Sequence, residues 1–174
     1  MKSAKKILAL ILAGVMALAL LTGCGKATSL NRTMAEGLAE YAKSSLAQQG
    51  NKNNISVSYQ VPELSRDIAP LFDENWITED EDGFDALTEA AKKTLTDILS
   101  PYISDTSAVT FQAADVTDFK TPFMEGVNLI DSTIEFVASN PPFDAASITS
   151  MKIAVTHKTV NGRTYALTVV IFEA

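Results

Sequence analysis

The chain has 174 residues, with 14 lysines and arginines against 21 aspartates and glutamates, one cysteine and one histidine. The acid excess, a net charge of −7, repels phosphate backbones, so nucleic-acid binding is not expected. A single thiol excludes an internal disulfide and a thiolate zinc site, and a single imidazole excludes a multi-histidine metal centre.

In chain order, the first feature is a basic start. Lys2, Lys5 and Lys6 precede an apolar run from Ile7 to Leu21, which ends on Thr22-Gly23-Cys24. A basic start, an apolar core of about 15 residues and a small residue before the cut make a secretory signal. The run is shorter than the roughly 20 residues that a membrane-spanning helix needs. The string Leu21-Thr22-Gly23-Cys24 resembles the lipobox of bacterial lipoproteins. The resemblance covers residues 1–24 and implies export, diacylglyceryl transfer to the Cys24 sulfur and cleavage between Gly23 and Cys24. Residues 1–23 are then the signal peptide, 24–32 the lipidated cysteine with a short tether, and 33–174 a single α+β domain. Removing the three signal lysines leaves eleven basic residues against twenty-one acidic ones, a net charge of −10. Anionic headgroups repel such a surface, so the acyl anchor rather than a basic patch attaches the chain to its membrane.

Thr33-Met34-Ala35-Glu36 fits a capping box, followed by Met34, Leu38, Tyr41, Ala42 and Ser45 at helical spacing and a stop at Gly50-Asn51. Ile55, Val57, Tyr59 and Val61 alternate with polar residues as a strand, and Pro62 ends it. Residues 63–77 read as a short helix, a break at Pro70 and a loop carrying Trp76. Gly83 to Ser100 reads as the clearest helix, with Phe84, Leu87, Ala91, Leu95, Ile98 and Leu99 on its apolar face.

Val109, Phe111 and Ala113 mark another strand. Thr121-Pro122 opens a helix carrying Met124, Val127, Ile130, Ile134 and Val137, and Asn140-Pro141-Pro142 stops it. Met151 to Lys158 and Thr164 to Glu173 form a hairpin around Asn161-Gly162, because a type I′ turn needs positive φ at both central positions. That turn pairs Val160 with Arg163, Lys158 with Tyr165 and Thr156 with Leu167. One face of the hairpin then carries Met151, Ile153, Val155, Ala166, Val170 and Phe172. The last strand is apolar on both faces near its end, which predicts a central, covered position. The fold class expected is α+β: an antiparallel sheet of about four strands with three or so helices on one face, ending in a C-terminal β-hairpin.

Few residues carry chemistry. His157 stands alone in the hairpin, without a nucleophile elbow or a zinc-protease helix, and reads as a strand residue rather than a general base. The acidic stretch from Thr78 to Glu89 partly fits a calcium loop, with Asp80, Asp82, Gly83 and Glu89 at its third, fifth, sixth and twelfth positions. It departs at Thr78, where the first aspartate belongs, and at Asp85, where an apolar residue belongs. An acidic start to the following helix explains the same residues without a metal. Tyr59, Trp76, Phe111 and Tyr165 fit core positions better than a binding face. The sequence thus assigns Cys24 as a lipid-attachment site and assigns no catalytic, cofactor or metal residue. It points to a membrane-anchored, extracytoplasmic, non-catalytic domain that binds a protein partner or a small solute. An accessory lipoprotein of an envelope or transport complex is the alternative, and a carboxylate-dependent hydrolase has the least support.

Overall fold

A computed structural model describes residues 30–79, 85–118 and 145–174 of the chain. Helix α1 (Leu30–Gln48) buries Met34, Ala35, Leu38, Ala39, Ala42 and Leu46, the stripe that a 3.6-residue period places on one face. Thr33 lies inside this helix rather than at its cap. Glu36 does not reach back to Thr33; it takes a 2.7 Å ion pair from Arg32, four residues earlier. The far end closes as expected at Gly50, whose φ is +94°. Gly50 N–H donates to the Ala47 carbonyl at 3.2 Å and Asn51 N–H to the Leu46 carbonyl at 3.0 Å, a Schellman closure that satisfies the last free carbonyls.

Strands β1 (Ser56–Ser58), β4 (Ser107–Asp115), β5 (Ser150–Val160) and β6 (Arg163–Glu173) form one sheet in the order β1-β5-β6-β4. The hairpin register is the expected one, including Val160↔Arg163, Lys158↔Tyr165 and Thr156↔Leu167. Asn161 and Gly162 both have positive φ. β6 lies between β5 and β4, and its residues from Tyr165 to Phe172 are all buried. The α+β class stands, with two corrections. β1 runs parallel to β5, so the sheet is mixed rather than purely antiparallel. The helices also cover both faces. Alternate residues of a strand point to opposite sides, and they feed two separate cores. Ala166, Val170 and Phe172 join Met151, Ile153, Val155 and α1. Tyr165, Leu167, Val169 and Ile171 join Leu64, Ile68, Phe72, Trp76 and the second long helix, α2 (Glu89–Leu99).

The second layer departs most from expectation. Pro70 does not break the chain; it sits within an α-helical turn (Ala69–Leu71) that follows a π-helical turn (Leu64–Ile68). The Ala69 N–H donates to the Leu64 carbonyl, five residues back. Proline cannot donate to the carbonyl four residues before it, and the widened turn accommodates that missing bond. The helix expected from Gly83 begins only at Glu89. Thr88 caps it, its Oγ1 accepting from the Ala91 N–H at 3.3 Å. Leu87 belongs instead to β3 (Asp85–Leu87), paired with β2 (Ile77–Glu79) in a small antiparallel ribbon. The Thr88 N–H donates to the Trp76 carbonyl at 2.9 Å, which fixes where the strand ends and the helix starts. Phe84 and the helix expected from Thr121-Pro122 lie outside the described residues.

Candidate functional site

Cys24 lies outside the described residues, as do Asp80, Asp82 and Gly83. The parts of the acidic stretch that are described lie on different elements. Thr78 and Ala86 face each other across the β2–β3 ribbon, and Glu79 is opposite Asp85. Glu89 starts α2 and takes a 2.7 Å ion pair from Lys92. Among the described residues, no three histidine, cysteine or acidic side chains are placed to share a metal ion.

His157 lies on β5, four residues before the Asn161-Gly162 turn. Its Nδ1 is 2.5 Å from Oδ1 of Asn31, at the start of α1. The contact ties the first turn of the helix to the hairpin. Beside it, the Arg32 guanidinium lies 3.6 Å from the centre of the Tyr59 ring, a cation–π contact that pins the same end of α1. Burial, and then the Glu36 carboxylate, raise the Tyr59 phenol above its ordinary value.

The remaining aromatic candidates are structural. Trp76 meets Phe72 edge-on at 5.7 Å and Phe111 at 6.3 Å, while Tyr165 meets Phe72 at 5.1 Å. Such T-shaped pairs match the edge of one ring to the face of the next. With Tyr165 only 3% exposed and Trp76 8%, both rings are committed to this packing.

A cleft of about 220 Å³ opens between the β2–β3 ribbon and the β5–β6 turn. Glu74, Thr78, Glu79, Asn161 and Arg163 supply its polar walls, with Ile77, Val160 and Tyr165 beneath. The Asn161 amide donates to Glu74 at 2.7 Å, and Arg163 pairs with Asp115 at 3.2 Å. Burial alone would push the Asp115 carboxyl up. Two hydrogen bonds from Thr117 and the Arg163 charge outweigh it and hold the group below its ordinary value. The walls offer donors and acceptors to a small polar solute. Thr78 Oγ1 is directed at the Glu79 carbonyl, 3.5 Å away.

The opposite end of the sheet holds a polar cluster that sequence reasoning missed. Lys152 and Ser150 both donate to the Glu173 carboxylate at 2.5 Å. These bonds, the one from Lys152 foremost, hold its pKa below the ordinary value. Lys152 also lies 5.2 Å from the centre of the Tyr102 ring, and Tyr102 donates to Glu63 at 2.9 Å. Burial and then that hydrogen bond raise the Tyr102 phenol. Part of the cluster was legible: extending the register from Asn161-Gly162 brings Ser150 opposite Glu173. Tyr102 and Glu63 reach it only through the tertiary fold. Comparisons with protein-family models, with curated proteins and with solved structures gave no match.

Proposed function

We propose that this chain is a lipid-anchored protein on the extracytoplasmic face of a bacterial membrane, carrying a non-catalytic domain that binds a partner protein or a small solute. The observation that carries the reading is Leu21-Thr22-Gly23-Cys24 behind a basic start and an apolar run too short to span. The acidic balance of the remaining chain agrees with attachment by lipid rather than by charge. The absence of disulfide-forming cysteines means that an exported domain must rest on its core, and both faces of the sheet carry one. The short stretch between Cys24 and α1 favours work close to the bilayer, as an accessory subunit of an envelope or transport complex would do.

The test is Cys24→Ala, followed by fractionation and globomycin-type inhibition of lipoprotein processing. The variant is expected to lose membrane retention or to accumulate as an uncleaved precursor. Normal processing and retention of the variant would remove the basis for the reading. For the domain, thermal unfolding with a panel of sugars, amino acids and peptides separates solute from protein partner. A ligand at 100 times its dissociation constant adds about 2.7 kcal/mol to stability.

A further inference from the structure

We infer that the anchored chain stands on its hairpin, with the Asn161-Gly162 turn and the neighbouring cleft toward the lipid headgroups and the opposite end of the sheet facing away. The inference rests on the lipid attachment at Cys24 proposed above.

The argument begins with the direction of α1. Its first turn is joined to the hairpin-turn end of the sheet by Asn31 and His157. Its last turn reaches the other end, where the Asn51 amide donates to the carbonyls of Ala145 at 2.7 Å and Ile148 at 2.9 Å. There the Thr149 N–H donates to the Glu173 carbonyl at 2.9 Å, so the end of β6 lies beside the end of α1. The helix therefore runs along the sheet from the turn end to the end holding the C-terminus. Its buried stripe packs on Met151, Ile153 and Val155 of β5, which keeps it from swinging.

The lengths then decide the posture. Six Cα steps separate Cys24 from Leu30, and fully extended they span about 20 Å at most. The 19 residues of α1 rise about 28 Å at 1.5 Å per residue. The tether is shorter than the helix that it leads into, so an anchor at Cys24 keeps the hairpin-turn end within about 20 Å of the bilayer and excludes the inverted posture, in which the start of α1 would stand about 28 Å away. Two consequences follow. The cleft of Glu74, Glu79 and Arg163 opens at headgroup level. The surface presented to a partner away from the bilayer is the far end, where Ile103 is 52% exposed.

The experiment uses the full chain, lipidated in a bacterial host and reconstituted in phosphatidylethanolamine–phosphatidylglycerol vesicles with an acceptor dye on the headgroups. Once Cys24 is acylated the chain has no other thiol, so a donor dye goes on one added cysteine. The two sites are Thr159→Cys near the turn and Lys52→Cys at the far end, both exposed positions. The donor at 159 is expected to lose more of its fluorescence to the membrane acceptor than the donor at 52. Inserting about 20 glycine and serine residues after Gly25, a flexible coil, is expected to shrink that difference. Equal transfer from both sites, or greater transfer from 52, in protein that floats with the vesicles would overturn the orientation while leaving the anchor intact. A difference that survives the longer linker would overturn the tether as its cause. Protein that does not float would overturn the anchor, and the orientation with it.

Discussion

The two layers that cover the sheet solve the same packing problem with opposite materials. On one side, α1 brings Ala35, Ala39 and Ala42 to a core of Met151, Ile153, Val155 and Val170. Small residues on a regular helix let its axis come close to the strands, and the interface is smooth and periodic. On the other side, Phe72, Trp76, Phe111 and Tyr165 interlock edge to face. The backbone that carries the first two passes through a π-helical turn, an α-helical turn and a 3₁₀ turn (Glu74–Trp76). Large rings demand individual positions rather than a repeat, and the chain bends to supply them. A periodic layer is readable from residue spacing, whereas a jigsaw layer is not.

The sharpest way to break this comparison is Phe72→Ala. Phe72 is 2% exposed and touches two other rings, so its loss should cost about 3–5 kcal/mol. Thermal unfolding is the measurement, and a loss under about 1 kcal/mol would show that the aromatic layer collapses without it. The matching change on the other side is Ala39→Leu. Ala39 is fully buried, and the added carbons should force α1 off the sheet at a cost of about 1–3 kcal/mol. An unchanged midpoint would mean that the alanine seam is not tightly packed. Thr168→Val runs the opposite way. The Thr168 hydroxyl, on β6 opposite Val155, is buried and has no hydrogen-bond partner among the described residues. Valine keeps the shape and removes the unsatisfied group, so a gain of about 1 kcal/mol is expected, and a loss would reveal a partner for the hydroxyl.

The smallest effect lies at the rim of the aromatic layer, at Glu173. Its pKa is held below the ordinary 4.5 by Lys152 and Ser150. A lowered folded-state value contributes stability above 4.5 that fades as the pH falls through the folded value. Glu173→Gln should therefore cost less than about 1 kcal/mol at neutral pH, since the pair is only half-buried. The gap from wild type should close in acid. A gap that widens as the pH falls would reverse the sign of the coupling.

Legibility followed the range of the interactions involved. The hairpin was readable down to its register, because Asn161-Gly162 dictates a two-residue turn and a period of two then places every pair. The stripe and the closing glycine of α1 were readable for the same reason: spacing and a positive φ are local properties. The start of α1 was misread because Glu36 pairs with Arg32 rather than reaching back to Thr33, and Thr33 lies within the helix. The β2–β3 ribbon was invisible because acidic residues are poor strand formers and its pairing depends on Trp76 and Thr88 being brought together. His157 lacks motif partners in the sequence, and its contact with Asn31, 126 positions away, carried no signal at all.

The sequence by itself thus determined the class of fold, the central place of the last strand and the register of the terminal hairpin, since composition, periodicity and turn chemistry act within a few residues. Only the tertiary structure decided which helix covers which face, that β1 joins the sheet in parallel, and where α1 begins relative to the hairpin turn. Those are choices among long-range pairings of similar hydrophobic surfaces, and burial area, being non-directional, leaves them open until shape complementarity selects one.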